Sequence, residues 1–280
     1  MAPDDLLSKA PDLPSLPDVY YRVEEVLDDP EFSLEQLADA IQSDPSISAR
    51  LLKLANSAYY GFPAKIDTIH RAATIIGTQE IRELVLATAV LSIFQGMPVG
   101  AVSMRSFWEH SIACGLAARA IADCRGEANV EKFYVAGLLH DIGRMVLFLD
   151  QSQQMSELLP KQEEHNKPLV QLELETFGTC HGAIGGALLR QWNLPPNLCQ
   201  AVELHHMHEP DNGKHLEAAT VHLADLMVNA MRMGNSGNHF VPKLDEAAWK
   251  TVGLAVSDLD DIVIQTEERL ADVITVFIEG

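Results

Sequence analysis

The sequence has no long hydrophobic run that would mark a membrane segment. None of its apolar stretches reaches the roughly 18 to 20 residues that a helix needs to cross a bilayer. The N-terminal stretch is acidic and contains proline, unlike a signal peptide. We therefore expect a cytoplasmic protein that does not enter the membrane.

Closely spaced cysteines are also missing. The four cysteines are Cys114, Cys124, Cys180 and Cys199, and none forms a CxxC pair. They fall in helix-like sequence, where a reduced cysteine behaves as a small apolar residue. The pattern therefore favours neither a zinc finger nor a redox motif.

Positive charge is scarce, since 20 Lys and Arg residues stand against 40 Asp and Glu residues. A formal net charge of -20 repels a phosphate backbone over most of the surface, so we expect no direct binding of nucleic acid. A phosphate ligand would need a local concentration of positive charge, which bound metal ions can supply.

Helical signals are abundant. The chain of 280 residues is 47% apolar, enough to bury a sizeable core. Ser33 and Gln36 fit a capping box, and Asp44 followed by Pro45 fits a helix start. No stretch alternates with period two for long enough to predict a sheet. The sequence predicts an all-α, multi-helix bundle.

Breaks in the helical pattern divide the chain into three predicted units. Two glycines and a proline within residues 96–100 would break any helix, and a polar loop covers residues 234–238. The predicted units are an N-terminal helical subdomain, 11–95, a second helical subdomain, 101–233, and a C-terminal helical extension, 243–280.

An ordered series of histidines and aspartates provides the candidate functional residues. The series is His110, His140, Asp141, His181, His205, His206 and Asp225. A helix of about a dozen residues plus a turn returns the chain to the same level of a bundle, so this spacing can deliver the side chains into one cavity. Neutral imidazoles and carboxylates bind divalent iron, manganese, zinc or nickel. The series predicts a centre for one or two divalent metal ions.

The pair His140-Asp141 interrupts an apolar stretch that we expect to form one helix from Val130 to Leu149. An unpartnered buried charge costs several kcal/mol, so the pair must be hydrogen-bonded, ion-paired or metal-bound. Asp141 could hold one ion or bridge two. A buried hydrogen-bonded cluster without metal stays open as the alternative.

His205 and His206 are expected on one helix that runs from Pro196 to His206. Neighbouring side chains on a helix point about 100 degrees apart, so these two should not readily chelate one ion together. They could serve two ions, or one ion and a phosphate. The other histidines are expected at the surface or in supporting positions: His70, His165, His208, His215, His222 and His239.

Three stretches carry a family resemblance. The stretch LLHDIGR at Leu138 to Arg144, following an upstream histidine, resembles the HD superfamily of metal-dependent phosphohydrolases. The stretch from His181 to Asp225 resembles the ordered motifs of its HD-GYP branch. The motif LPSLP and the stretch SDPSISARLLKLANSAYYG, residues 43–61, resemble the HDOD domain, the HD-related output domain of bacterial signalling. The resemblance covers roughly residues 11–233.

The resemblance implies an HDOD or HD-domain-like helical bundle in which the seven residues of the series occupy metal positions. Three positions depart from the HD-GYP pattern, where Ser106 and Met207 replace glutamates and Gly182 replaces a proline. Arg144 stands where active members have lysine, and its guanidinium could bind phosphate through two hydrogen bonds.

The two branches imply different functions. HDOD proteins are regarded as output or interaction modules, whereas HD-GYP proteins hydrolyse cyclic di-GMP at a metal centre. We expect a signal-transduction module with a protein partner or a phosphate-containing small ligand. The alternative is a metal-dependent phosphohydrolase for a cyclic dinucleotide, a nucleotide or another phosphoester, with Asp141 and Arg144 as catalytic residues.

Overall fold

A computed structural model describes residues 2–9, 13–94, 102–206 and 215–278 of the chain, and every regular element within them is helical. The α-helices are α1 Pro3–Lys9, α2 Asp18–Asp28, α3 Leu34–Gln42, α4 Pro45–Ala55, α5 Ile69–Ile76, α6 Thr78–Phe94, α7 Met104–Cys124, α8 Glu131–Leu139, α9 Ile142–Asp150, α10 Ser152–His165, α11 Leu169–Phe177, α12 His181–Gln191, α13 Pro196–Leu204, α14 Leu216–Met231, α15 Glu246–Val252 and α16 Leu259–Phe277. The predicted all-α fold is confirmed. In these ranges no helix combines the length and the apolar character needed to cross a bilayer.

Local capping explains where several helices start. The Ser33 side chain accepts a hydrogen bond from the backbone N–H of Gln36, and the Gln36 side chain accepts one from the backbone of Ser33. The Asp44 carboxylate accepts from the first backbone N–H groups of α4, which has Pro45 at its first position. Both predicted starts are confirmed because each side chain satisfies N–H groups that the first helical turn leaves free.

Two predicted helices are shorter than expected. The stretch from Val130 to Leu149 is not one helix but two, α8 and α9, with His140 and Asp141 at the junction. The His140 ring bonds the carbonyl of Gly137 at 2.7 Å, and the backbone of Asp141 leaves helical geometry at φ -95° and ψ 8°. A side chain that hydrogen-bonds a carbonyl of its own helix competes with the backbone N–H groups that would continue the helix. The prediction was wrong because this competition cannot be read from periodicity.

Helix α13 ends in the same way. It stops at Leu204, two residues before the predicted end, and the ring of His205 bonds the carbonyl of Val202 at 2.6 Å. His140 and His205 therefore each stand at the C-terminal end of a helix, where Nδ1 points back along the chain and Nε2 points away.

The hydrophobic core runs through both predicted subdomains. One continuous cluster of buried residues includes Leu51 and Phe94 from the N-terminal helices together with Tyr134 and Ile184 from the later ones. Helix α7 packs against α8, α14 and α16, and residues of these helices form a second cluster that includes Ile262. The division into units stays a prediction, and its boundary at residues 96–100 lies outside the described part of the chain, as do Met207 and His208.

A polar cluster joins the two halves. The hydroxyls of Tyr59 and Tyr60, which follow α4, both donate to the carboxylate of Glu131 in α8. Arg119 of α7 donates to the same carboxylate at 3.1 Å and lies over the Tyr59 ring. The cluster ties the N-terminal helices to α7 and α8.

Candidate metal centre

Six helices bring the predicted ligand residues together. His110 and Asp225 lie within α7 and α14, and His181 is the first residue of α12. The pair His140-Asp141 joins α8 to α9, and His205-His206 follows α13. Six of the seven side chains are at most 1% exposed, and His206 is half-buried.

The ligand atoms form two groups with Asp141 between them. In the first group, Asp225 Oδ1 lies 3.2 Å from His110 Nε2 and 3.6 Å from His140 Nε2. In the second group, His181 Nε2 lies 3.2 Å from His205 Nε2 and 2.9 Å from His206 Nε2.

Asp141 reaches both groups. Its Oδ2 lies 3.2 Å from His140 Nε2, and its Oδ1 lies 3.1 Å from His181 Nε2. A carboxylate whose two oxygens face two sets of imidazoles has the arrangement that bridging between two cations requires.

His205 and His206 point to the same place. Their ring centroids are 3.9 Å apart, and both Nε2 atoms approach His181. The expectation that they diverge by about 100 degrees was wrong because α13 ends at Leu204, so the two residues do not continue a regular helix and their rings converge on His181.

Hydrogen bonds at Nδ1 orient three of the rings. The Nδ1 atoms of His140 and His205 bond backbone carbonyls, and His181 Nδ1 lies 2.5 Å from the Glu173 carboxylate. A ring that donates from Nδ1 keeps the lone pair of Nε2 for a metal, and such partners are typical around metal-binding histidines. His222 adds support from a further position, where its Nδ1 bonds the carbonyl of His205 at 3.0 Å.

Glu173 is a site residue that the sequence reasoning missed. It is fully buried in α11 and accepts hydrogen bonds from both the backbone N–H and the ring of His181. Its signal in the sequence is its position, since Leu169 and Phe177, four residues before and after it, place it on the apolar face of the helix. An acid on such a face needs a buried partner.

Arg144 holds Asp141 in place. Its side chain is fully buried, and Nη1 lies 2.8 Å from Asp141 Oδ2 and 2.6 Å from Ser236 Oγ. Nη2 donates to Asn238 Oδ1 at 3.1 Å. The loop 234–238, expected only as a separator, therefore supplies two partners to the centre. A contact of Arg144 with phosphate stays a prediction.

The two carboxylates of the centre, Asp141 and Asp225, favour a positive charge at His140. Burial alone would lower the pKa of His140, but the Asp141 and Asp225 carboxylates raise it to about 10. Burial would raise the pKa of Asp141, yet Arg144 and His140 hold it well below its usual range. Burial and the neighbouring rings lower the pKa of His205, which stays neutral. A divalent ion would neutralise the two carboxylates, Asp141 and Asp225, more completely than a single proton on His140 does.

Unsatisfied atoms test whether the residues fit a metal. His140 Nε2 and Asp141 Oδ1 are buried and have no hydrogen-bond partner in the described part of the chain. Ligands of one ion at about 2.0 to 2.2 Å are separated from one another by roughly 3 to 3.6 Å, as these atoms are from their neighbours. A set of nitrogen and oxygen donors with such spacing fits divalent iron, manganese, zinc or nickel.

A polar cavity of about 440 Å³ lies beside the centre. Asn229 and Asn238 line it, and their side chains also contact the centre, Asn229 through Asp225 and Asn238 through Arg144. A small polar molecule in this cavity would therefore be separated from Asp225 only by the Asn229 side chain and from Arg144 only by the Asn238 side chain.

Comparisons with known proteins agree with this architecture. The sequence model of the HDOD domain matches residues 13–208. The chain is similar to the crystal structure of an HDOD domain protein of unknown function from Geobacter sulfurreducens, with 26% identity, a TM-score of 0.79 and coverage of 98% of this chain and 95% of that chain. It is also similar to a suggested metal-dependent phosphohydrolase from Shewanella amazonensis SB2B, with 26% identity, a TM-score of 0.68 and coverage of 97% of both chains.

A curated relative is longer than this chain. An uncharacterised protein of Treponema pallidum (strain Nichols) is 26% identical over 220 residues, which are 78% of this chain and 42% of that protein. The chain thus spans less than half the length of this relative.

Proposed function

The chain belongs to the HDOD domain family, and on that premise we propose that it is a regulatory module of bacterial signal transduction whose HD-type centre binds one or two divalent metal ions. The observation that carries the proposal is the pair of buried, unsatisfied atoms, His140 Nε2 and Asp141 Oδ1, within a set of seven ligand-type side chains. Both atoms are buried away from water, and their nearest polar neighbours, at 3.1 to 3.2 Å, belong to the same set of candidate ligands, so a cation among them would satisfy both.

The donor atoms would form two metal positions. His110, His140 and Asp225 would hold one ion, the three histidines His181, His205 and His206 would hold another, and Asp141 would contact both. A bound ion would supply the positive charge that offsets two buried carboxylates and would fix the six helices relative to one another.

The closed surroundings of the centre favour regulation over turnover. Six of the seven ligand residues are buried, and Arg144 is engaged by Asp141, Ser236 and Asn238. A phosphoester would have to enter past the half-buried His206 and compete for Arg144. A closed metal site is the usual arrangement when the ion has a structural role, whereas catalytic sites keep an open position.

Metal-dependent phosphohydrolysis is the second candidate. The full series of ligand-type side chains and the bridging position of Asp141 favour it, as does the similarity to the Shewanella protein. In this role Asp141 would hold the metal ions, and Arg144 would have to leave its buried partners to bind phosphate.

The regulatory role requires a partner. We propose a signalling protein or a phosphate-containing small ligand, and the polar cavity beside Asn229 and Asn238 is the place where a small ligand would affect the centre. The net charge of -20 makes nucleic acid an unfavourable partner.

Metal-reconstituted protein distinguishes the two candidates. Iron, zinc, manganese or nickel should bind to the wild-type protein and to Asp123→Ala, a change at an exposed position of α7, but not to Asp141→Ala. A screen with cyclic dinucleotides, nucleotides and generic phosphoesters should give no metal-dependent turnover. Turnover that Asp141→Ala abolishes would replace the regulatory role by the hydrolase, and absence of metal binding would contradict both.

A further inference from the structure

Cys114 lies among the candidate metal ligands. It follows His110 by four residues on α7, so the two side chains share one face of the helix. The thiol is fully buried, and its Sγ lies 3.6 Å from His110 Nε2. From the sequence, this cysteine was expected to be only a small apolar residue.

Four side chains form a compact group around one point. Donor atoms of His110, Cys114, His140 and Asp225 all lie within 4.8 Å of one another. His110 Nε2 lies 3.6 Å from Cys114 Sγ and 3.2 Å from Asp225 Oδ1, and His140 Nε2 lies 3.6 Å from Asp225 Oδ1. A tetrahedral ion with nitrogen at about 2.0 Å and sulfur at about 2.3 Å separates these two donors by about 3.5 Å.

His140 supplies an independent sign of a ligand at this point. Its Nε2 is buried without a hydrogen-bond partner in the described residues, while its Nδ1 is already bonded to Gly137. The ring is therefore fixed with Nε2 directed at the donor atoms of His110, Cys114 and Asp225.

We propose that Cys114 is a metal ligand, whose thiolate joins His110, His140 and Asp225 around one ion, beside the shared carboxylate of Asp141. The proposal rests on the proposed metal-binding function and refines it. When the sulfur–metal bond forms, the S–H bond breaks and the proton leaves to solvent. One position of the centre then has two imidazoles, one thiolate and the carboxylate of Asp225, and it shares the carboxylate of Asp141 with the other position.

The thiolate changes which metal the centre prefers and what the position can do. A sulfur ligand favours zinc or iron and disfavours manganese, which prefers oxygen donors. Four protein donors and the shared carboxylate of Asp141 leave no open place on a four- or five-coordinate ion, as in structural sites. The other position, with His181, His205 and His206, would be the one that remains accessible through His206.

Cobalt-substituted protein tests this assignment without an assay of activity. Thiolate ligands give Co²⁺ an intense charge-transfer absorption in the near ultraviolet, which nitrogen and oxygen ligands do not. The wild-type protein should show this band, and Cys114→Ser should lose it while circular dichroism shows an intact fold. Cys199→Ser, a change of a cysteine that is equally buried in α13, should keep the band.

X-ray absorption of the zinc-loaded wild-type protein tests the same point without a variant. It should show a sulfur neighbour at about 2.3 Å from zinc. A protein that binds cobalt or zinc without the band and without a sulfur neighbour would overturn the role of Cys114 and leave the proposed function standing. A protein that binds neither metal would overturn both.

Discussion

Glu173 fixes the orientation of the His181 ring. Its carboxylate accepts from both the ring and the backbone of His181, and Arg144 Nε lies 3.5 Å from its second oxygen. The His181 Nε2 atom is thereby directed at Asp141 and at the two histidines after α13. Residues that orient a ligand in this way control metal affinity without touching the metal.

Replacing Glu173 by glutamine should therefore weaken metal binding. We expect a loss of about 10- to 100-fold in affinity, measured by competition with a chelator, because the His181 ring loses its charged acceptor. Glu175→Gln on the same helix is the control, since Glu175 pairs with Lys167 at the surface. Equal affinity of the Glu173→Gln and wild-type proteins would show that His181 is held by other contacts.

Glu83 gives the protein a pH dependence outside the centre. Burial, with a further contribution from Glu24 and Glu131 that Arg82 opposes, raises the pKa of its carboxyl from an ordinary 4.5 to about 7. Between these two values the folded chain keeps a proton that the unfolded chain has released. The free energy of unfolding should therefore fall as the pH rises through this window and level off above it.

Replacing Glu83 by glutamine should remove this loss. Urea unfolding at pH 5 and pH 8 should show a smaller decrease in stability for Glu83→Gln than for the wild-type protein, by about 1 to 3 kcal/mol. Glu35→Gln, at an exposed position of α3, should keep the wild-type decrease. The same decrease in Glu83→Gln would mean that other groups cause it.

At the residue scale the sequence predicted which histidines and aspartates converge better than it predicted their partners. Histidines and aspartates spaced by a helix and a turn, together with the family resemblance, were enough to select the seven side chains that converge. Glu173, Ser236 and Asn238 were missed because their roles come from contacts between distant segments. Cys114 was interpreted as apolar because a lone cysteine in helix-like sequence gives no sign of the side chains it will contact.

At the scale of the elements, the ends of helices build the centre. His140 and His205 each close a helix by bonding a carbonyl three residues earlier, and this bond leaves Nε2 directed into the cluster. Periodicity located most helices because it reflects their buried faces. It missed the break at Asp141 because the residues on both sides are equally apolar.

Close contact between α9 and α12 sets the distance from Asp141 to His181. A Cβ atom on Gly143 would lie 2.6 Å from the backbone nitrogen of Gly185 and still closer to the carbonyl oxygen of His181. Side chains cannot relieve a clash between two backbones, so only glycine allows the two helices to approach this far.

Gly143→Ala should therefore separate the two halves of the centre. We expect a destabilisation of about 3 kcal/mol and a loss of metal binding that urea unfolding and chelator competition would detect. Gly126→Ala is a control for the loss of glycine, because a Cβ there meets no atom within 4 Å and only the left-handed backbone at φ 74° is strained. A Gly143→Ala protein that is as stable as Gly126→Ala would contradict the close packing.

At the scale of the whole molecule, Glu131 links the N-terminal helices to the metal centre. It accepts from Tyr59, Tyr60 and Arg119 at the start of α8, and the same helix ends at the residue before His140. Only 1% of its side chain is exposed. Helix α8 therefore contacts the N-terminal helices at its start and the candidate metal centre at its end.

Glu131→Gln should destabilise the protein by about 3 to 5 kcal/mol, because it leaves the mostly buried Arg119 without a charged partner. Thermal unfolding of the metal-free protein measures this effect. Glu127→Gln, which removes a pair with Arg125 nearer the surface, should cost less than about 1 kcal/mol. Similar melting temperatures for the two variants would show that the cluster does not hold the halves together.

The metal content of the purified protein tests the central claim most directly. Elemental analysis for iron, zinc, manganese and nickel should find one or two ions per wild-type chain and close to none in a folded Asp141→Ala protein. Wild-type protein that holds no metal, both as purified and after reconstitution, would contradict the account and leave the seven side chains as a hydrogen-bonded cluster.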